Sequence, residues 1–449
     1  MKMKMGKLLT PFRIIVISYI IAMFFFSVFL FLPVSAQEGV SVSYSEALFT
    51  SVSAVSVTGL TVVNVSETYS SVGIFFLAAA IQLGGIGVMT LGTFVWMVLG
   101  KTIPLSQRML IMVDQNQISF AGLVKLMRGI LLVALLIELI GALILGTYYL
   151  NYFDTVGEAY YQGAFGALSA FTNAGFDVTG QSLIPFADDY FVQLVNILLI
   201  FAGAIGFPVL MELRAYFSSK DPNFRFSLFT KITTATYFIV FAVGMVVLWM
   251  IERNEFYDGL SWHQQLFFSM FNSATARSGG LATMDVSQLT LASLLFLSAL
   301  MIIGASPSSV GGGIRTTTLA VMFLTIRSFA MGRSDVKVFG REIHQEDRQK
   351  AFIVLSVFIV GLFLSIILIA AFEGSREIEL MAIIFEASSA FGTCGLSMGI
   401  TPDLSLPSQI TLMVLMLIGR VGLVAFLFSI RAREKKTLYK YPTERIIIG

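Results

Sequence analysis

The sequence predicts an all-α polytopic membrane protein: eight transmembrane helices plus four re-entrant helices, in four units set pseudo-fourfold around one axis. Three observations predict it. Of 449 residues, 56% are hydrophobic and only 12% charged, against about 25% charged in ordinary soluble chains. Apolar stretches recur at bilayer length. One short motif ending in glycine returns four times.

A helix crosses the ~30 Å hydrocarbon layer in about 20 residues. Eight stretches meet that length: 14–37, 68–100, 129–153, 190–211, 232–251, 286–313, 351–372 and 404–430. Glu138 lies within the third and Arg420 within the last. Four more, 47–66, 159–176, 259–276 and 387–402, are shorter, richer in Ser and Thr, and contain or approach a glycine.

Charge decides how the shorter stretches run, because Lys and Arg concentrate in short cytoplasmic loops. If each shorter stretch enters and leaves on one side, only Arg253, Arg277 and Arg376 of the 29 basic residues face outside, with 17 of the 27 acids. Twelve full crossings would scatter the basic clusters over both faces. Both termini are then cytoplasmic. Lys2, Lys4 and Lys7, an apolar run and Val34-Ser35-Ala36 outline a secretory signal, but 14–32 exceeds a signal core and its removal would strip the first unit of its opening helix.

The net charge of +2 supplies no concentrated basic face for nucleic acid. A single cysteine, Cys394, excludes an internal disulfide framework, and His263 and His344 stand too far apart for a zinc cluster. No cofactor is expected.

The repeats align without gaps: Ser53-Ala-Val-Ser-Val-Thr-Gly59-Leu60, Ser169-Ala-Phe-Thr-Asn-Ala-Gly175-Phe176, Ala274-Thr-Ala-Arg-Ser-Gly-Gly280-Leu281 and Ser389-Ala-Phe-Gly-Thr-Cys-Gly395-Leu396. Ten residues before each glycine stands Phe49, Phe165, Met270 or Phe385, an apolar anchor for a short helix. After each comes a second landmark: Gly84 and Gly87, Gly203 and Gly206, Gly304 and Pro307, Gly419 and Gly422. These G-x-x-G pairs read as close helix packing. The chain divides into repeats at 1–100, 101–218, 219–335 and 336–449.

Non-helical backbone at membrane depth is tolerated only where it lines a watery cavity or is buried in protein. Four such segments imply a pore. A helix of about 13 residues over 43–55 rises ~20 Å and stops partway. Its C-terminal end carries roughly half a negative charge. Four such ends on one axis favour a cation, and the residues beyond them can turn carbonyls inward. Glycine alone adopts crowded backbone angles there without filling the hole. Carbonyl rings without a carboxylate ring suit a monovalent cation rather than Ca²⁺ or Mg²⁺, with potassium favoured over sodium.

Four M1-P-M2 units carrying Val-Thr-Gly59-Leu, Asn-Ala-Gly175-Phe, Ser-Gly-Gly280-Leu and Thr-Cys-Gly395-Leu resemble the Ktr/Trk/HKT potassium transporter superfamily, over essentially the whole chain. Starting its first unit at the N-terminus, the chain looks most like the bacterial Ktr membrane subunit, of KtrB or KtrD type. The resemblance implies potassium uptake across the plasma membrane, with K⁺ held on backbone carbonyls of Val57, Thr58, Gly59, Asn173, Ala174, Gly175, Ser278, Gly279, Gly280, Thr393, Cys394 and Gly395. It also implies a homodimer on a cytosolic nucleotide-binding regulatory ring of KtrA or KtrC type, with Na⁺ as a possible activator. No G-x-G-x-x-G occurs here, so nucleotide sensing belongs to that other chain. Loops 101–128, 214–231 and 327–350 supply the docking face, and the apolar tail at Ile446 a dimer contact. The filter departs from the Thr-Val-Gly-Tyr-Gly of potassium channels, keeping one glycine per segment.

In the third unit, Gly304, Ser306, Pro307, Gly311, Gly312 and Gly313 interrupt an apolar span just before Arg315. Such a run makes no comfortable helix. It reads either as a kink or as an irregular intramembrane loop beneath the filter, which the resemblance makes a gate. Arg420 must face the pore or tether a loop carbonyl, because lipid does not accept it; it is expected near this loop. Arg277 reads as a brace for the third segment, Cys394 as a small packed residue, and Glu138 as pairing across helices. The rival reading is a secondary carrier with two inverted halves alternating access; four units that all begin inside speak against it. A membrane enzyme is disfavoured, since no nucleophile, base and acid stand at motif spacing.

Overall fold

The computed structural model describes residues 10–88, 123–218 and 223–430, with 90, 108, 109, 112, 442, 444 and 446 besides. Most of the 101–128 loop and of the 431–449 tail, Pro442, Glu444 and Ile446 excepted, lies outside the described residues.

Four long helices run unbroken: α1 (Pro11–Phe31), α4 (Leu123–Tyr149), α8 (Leu228–Glu252) and α12 (Gln345–Phe372). Each is too apolar to be covered by protein alone. On α1, Ile17, Ile21, Phe24, Phe25 and Val28 face outward, while Ile15, Tyr19, Met23, Phe26 and Leu30 are buried. This is one helical face for lipid and one for the core.

A short helix follows each: α2 (Tyr44–Ser56), α5 (Val156–Thr172), α9 (Trp262–Thr275) and α13 (Leu380–Gly392). Their starts are set by capping. Ser43 and Glu46 form a reciprocal capping box on α2, Ser261 and Gln264 form another on α9, and Thr155 caps α5. The anchors Phe49, Phe165 and Phe385 are buried, and Met270 is half-buried. Helix α13 begins seven residues earlier than the apolar pattern places it, because Glu386 hides the start of the run. That carboxylate is buried, accepting from the Ser397 and Thr401 hydroxyls and, at 3.1 Å, from the Met398 amide.

Every short helix is re-entrant. In the first unit the chain before and after α2 pairs as two strands would, with an Ala36 to Tyr69 bridge and the Ser70 amide donating to the Ser35 carbonyl at 2.9 Å. In the second, the Tyr152 hydroxyl donates to Asp189. In the third and fourth, a buried glutamate ending the long helix clasps the residue that opens the next. Glu252 accepts from the Thr290 amide and hydroxyl at 3.0 and 2.6 Å, and Glu373 from those of Ser405 at 2.8 and 2.5 Å. A segment crossing to the far face could make none of these contacts.

The second helix of each unit departs from the expected continuous span. Helices α3 (Ser71–Ile86), α6 (Tyr190–Ala204), α10 (Leu291–Ile302) and α14 (Leu406–Val421) all stop partway. Gly87, Gly206 and Gly422 stand at φ of 98°, 102° and 87°, a conformation that ends a helix and that residues with a Cβ rarely adopt. Beyond the break, α7 (Phe207–Ser218) and α15 (Leu423–Ile430) leave at 100° and 101°. In the third unit the chain runs irregularly over 303–315 before α11 (Thr316–Ala330). The first glycine of the landmark makes the close packing expected of it. A Cβ on Gly84, Gly203 or Gly419 would fall on the carbonyl of Val55, Phe171 or Phe391, at the end of that unit's own re-entrant helix.

The units close on themselves. Each long helix packs on its own re-entrant helix; in addition α3 packs on α5, α6 on α9, α10 on α13, and α14 back on α2. One exception to the all-α reading is a small hairpin, β1 (Lys337–Val338) and β2 (Arg341–Glu342), within the 327–350 loop. Phe339 and Gly340 at its tip both have positive φ, as a two-residue turn of this hand requires.

The clasp at Glu373 gives a pH prediction. Burial works against its charge, yet the Ser405 and Ser408 hydroxyls, the Ser405 amide and Arg376 hold its carboxyl below the ordinary value of 4.5. A lowered folded-state pKa stabilises above that ordinary value and is lost as pH falls through the lowered one. Glu373→Gln is expected to lower stability at pH 7 by about 1.5–3 kcal/mol, the gap narrowing as pH drops below 4.5; thermal unfolding in detergent across pH measures it, and a pH-independent gap would contradict the charge-based account.

Candidate functional site

Three of the re-entrant helices end in a left-handed cap, at Val57, Asn173 and Thr393; α9 closes at Ala276 in helical geometry and reaches a positive φ two residues later, at Ser278. Val57, Asn173, Ser278 and Thr393, each two residues before a motif glycine, stand at φ of 59°, 55°, 84° and 47°. Gly59, Gly175, Gly280 and Gly395 follow at 94°, 69°, 71° and 98°. Non-glycine residues take positive φ rarely, and Val and Thr least readily because their side chains branch at Cβ. Fourfold recurrence at one motif position therefore marks a conformation imposed by the surroundings.

The helix end supplies part of that imposition. The amides of Thr58, Ala174 and Cys394 turn back to the carbonyls of Ser53, Ser169 and Ser389 at 2.8, 2.8 and 2.9 Å. The Gly59 and Gly395 amides donate to the hydroxyls of those same serines, Ser53 and Ser389, at 3.0 Å each. In the third unit, where Ala274 replaces the serine, the Gly279 amide reaches the Thr275 carbonyl at 2.7 Å. Most of these backbone donors are thus consumed in the wall.

The glycines form a closed cycle. A Cβ on Gly59 would meet the Ala174 carbonyl at 2.5 Å and the Gly175 Cα at 3.0 Å; on Gly175, the Gly280 Cα at 2.9 Å and the Gly279 carbonyl at 3.4 Å. On Gly280 it would strike the Cys394 carbonyl, and on Gly395 the Thr58 carbonyl, with the Gly59 Cα at 3.1 Å. So 59 touches 175, 175 touches 280, 280 meets the segment of 395, and 395 returns to 59. Glycine is the only residue with no atom to place there.

Residues 303–315 lie directly under this cycle. They form an irregular loop, not a kinked helix, and 304–313 are buried throughout. The loop touches the second and fourth units and its own, and Arg420 ties it to Gly84 of the first. Ser306 and Val310 amides donate to the Ala204 and Gly203 carbonyls at 3.0 and 3.3 Å, and the Phe207 amide to the Ser308 carbonyl at 2.8 Å. The Gly312 amide donates to the Ser278 hydroxyl at 3.2 Å, which itself donates to the Gly392 or Thr393 carbonyl at 3.0 Å. A Cβ on Gly311 would meet the Ser278 side chain at 2.6 Å, and one on Gly312 the Thr393 side chain at 2.5 Å. Gly304 packs on Gly312 and Gly313, closing the neck of the loop, while Pro307 presents its carbonyl to Gly206.

Three arginines hold the loop. Arg420, buried, donates to the carbonyls of Val310 and Gly84, and to that of Gly85 at 3.2 Å. It lies at the loop, as expected, in tether geometry. Arg277 is fully buried; it donates to the Tyr237 carbonyl at 2.6 Å and the Gly304 carbonyl at 3.4 Å, and lies 3.8 Å from the Tyr237 ring centroid. This is a brace. Arg315, which the sequence places only at a span border, donates to the Gly311 and Ser306 carbonyls. Its signal was there to read in Gly-Gly-Gly313-Ile-Arg315. Cys394 is buried with its thiol 3.4 Å from the Thr275 carbonyl. Glu138 accepts from the Gln82 amide of the first unit at 3.0 and 3.2 Å, the cross-helix partner the sequence leaves unnamed.

Residues 7–437 match the family described as TrkH, cation transport protein. The chain belongs to this family. Among TrkH-family relatives, it is 50% identical to the Ktr system potassium uptake protein D of Bacillus subtilis (strain 168), over 100% of both chains. It is 33% identical to the potassium/sodium uptake protein NtpJ of Enterococcus hirae, over 100% of this chain and 99% of the other, and 32% identical to the Ktr system potassium uptake protein B of B. subtilis, over 98% and 97%. The potassium transporter TrkH from Vibrio parahaemolyticus shares the fold, with a TM-score of 0.74 at 17% identity over 94% of this chain and 86% of that one. The family is one of membrane cation transporters, not of enzymes.

Removing the brace has a testable outcome. Arg277→Met removes the guanidinium bonds to the Tyr237 and Gly304 carbonyls, and losing such buried charge-assisted bonds is expected to destabilise by about 3 kcal/mol or more. Arg277→Lys, lacking the planar fork, is expected to recover only part. Thermal unfolding of the detergent-purified proteins measures both; full stability in Arg277→Met would refute the brace.

Proposed function

We infer that this chain takes up potassium through a pore on the axis of the glycine cycle. The observation that carries the reading is the closure of Gly59, Gly175, Gly280 and Gly395 on one another. Four helix C-termini meet there, each with its partial negative charge, and most of the donors behind them are already used. Carbonyls of Val57 and Thr58, Asn173 and Ala174, Ser278 and Gly279, Thr393 and Cys394, with the glycines, replace the water of a monovalent cation. Relatives named as Ktr system potassium uptake proteins support the choice of potassium.

The loop under the filter, with Gly304, Ser306, Pro307, Gly311, Gly312 and Gly313, is the gate. It opens by moving away from Ser278 and Thr393, and Arg420 restrains it and repels cations below it. Four repeats, 1–100, 101–218, 219–335 and 336–449, supply one wall each. The alternating-access reading is not favoured, because all four units share one order of elements and one filter turn.

The protein works in the bacterial plasma membrane with both termini cytoplasmic, as a homodimer on a cytosolic nucleotide-binding ring of KtrA or KtrC type. The hairpin within the 327–350 loop is part of the docking face, with Phe339 exposed at its tip. Na⁺ acts as an activator; the potassium/sodium name of one relative supports a role for that ion.

Gly59→Ser places a Cβ 2.5 Å from the Ala174 carbonyl. In vesicles it is expected to cut rubidium uptake, or its preference over sodium, at least about tenfold, with the protein still inserted. Uptake and preference equal to the unaltered chain would remove the filter reading.

A further inference from the structure

Below the gate loop lies a cavity of about 140 Å³, on the side away from the glycine cycle. Its polar lining is Tyr19, Ser308, Ser309, Arg315, Thr318 and Arg420; its other walls come from Gly313, α1, α12, the break after α3 and α15, and among the described residues no carboxylate lines it.

Two observations there ask for an anion. The first is the opening of helix α11, a helix of 15 residues. Arg315 holds the N-cap position without a side-chain cap, and the first backbone bond of the helix is the Leu319 amide to the Arg315 carbonyl at 3.2 Å. The amides of Thr316, Thr317 and Thr318 are therefore left with no acceptor among the described residues. A glycine-rich turn leading into an uncapped helix N-terminus is the backbone arrangement that cradles phosphates.

The second is the state of the two guanidinium groups. Arg420 is only 7% exposed and its Nε has no partner. Arg315 spends one nitrogen, Nη1, on both of its loop carbonyls. Among the described residues neither makes an ion pair. Two like charges facing one cavity, Arg420 buried and Arg315 half-buried, balanced among the described residues only by carbonyl dipoles, are electrostatically incomplete.

We propose that Arg315, Arg420, the Thr318 hydroxyl and the uncapped N-terminus of α11 form a binding site for a phosphate-type oxyanion. Forked guanidinium donors match such oxygens two at a time. The anion carries the charge these arginines lack and pins the Gly313 to Arg315 end of the loop to α11. Given the uptake reading above, occupancy holds the gate shut; the binding itself is read on the purified chain and stands or falls apart from any flux. The same chemistry arrives from two sources: free phosphate in the aqueous phase, or a lipid headgroup entering between the apolar walls.

The full chain in neutral detergent is titrated with inorganic phosphate against chloride at equal ionic strength, with binding followed by calorimetry and ³¹P linewidth. Saturable phosphate binding is expected, weakened at least about tenfold by Arg315→Gln and measurably by Thr318→Val, and unchanged by Arg333→Gln in the exposed loop. Absence of saturable binding, or binding that both site variants leave intact, overturns the proposal; should Arg315→Gln fail to fold, Thr318→Val decides alone. Mass spectrometry from nanodiscs assigns the source. Phosphatidylglycerol retained over phosphatidylcholine and displaced by phosphate identifies the headgroup, whereas equal phosphate binding in both lipids identifies the free anion.

Discussion

Peptide groups at membrane depth must be satisfied within the protein or turned toward a watery path, and the left-handed turn at Val57, Asn173, Ser278 and Thr393 does both at once. It folds the following amides back onto the helix end in three of the units and leaves carbonyls against a neighbouring glycine. The strained angle at Val57 and Thr393 is tolerated only because packing on every side over-determines it. Everything outside this ring can be understood as the structure that holds it. The long helices support the re-entrant ones, the broken helices brace the next unit's re-entrant helix, and buried polar clasps at the outer rim fix where each segment enters and leaves.

The break in the second helix of each unit follows from the same constraint. A continuous helix would pass the ring and leave no room for residues 303–315. Positive φ at Gly87, Gly206 and Gly422, each three residues after its unit's first landmark glycine, accompanies the end of three of these helices, and the third unit fills the space made. Arginines at 277, 315 and 420 then hold the loop by its carbonyls rather than by carboxylates. Carbonyl partners leave the guanidinium charge in place, so the loop is both tethered and electropositive. That combination suits a gate for cations.

Much of this was legible in the sequence. Gap-free repetition located the glycines, the anchors ten residues earlier located the re-entrant helices, and Gly-Gly-Gly313 located the loop. What it left out has physical causes. A glycine in an apolar span reads equally as close packing or as a break, since both need a missing Cβ; Gly84 is the first and Gly87 the second. Glu386 looked like the edge of a segment because its satisfaction by Ser397 and Thr401, residues 11 and 15 positions on, is visible only after folding. The pairing of Glu138 with Gln82 joins two units and has no periodic signature.

The most direct test is anomalous diffraction, or difference density, from the protein soaked in rubidium or thallium. The account predicts a peak on the axis of the four glycines, coordinated by carbonyls from all four segments, including those of Thr58, Ala174, Gly279 and Cys394. A transport-competent protein whose only ion density lies away from that ring, between helices or behind Arg420, would contradict it.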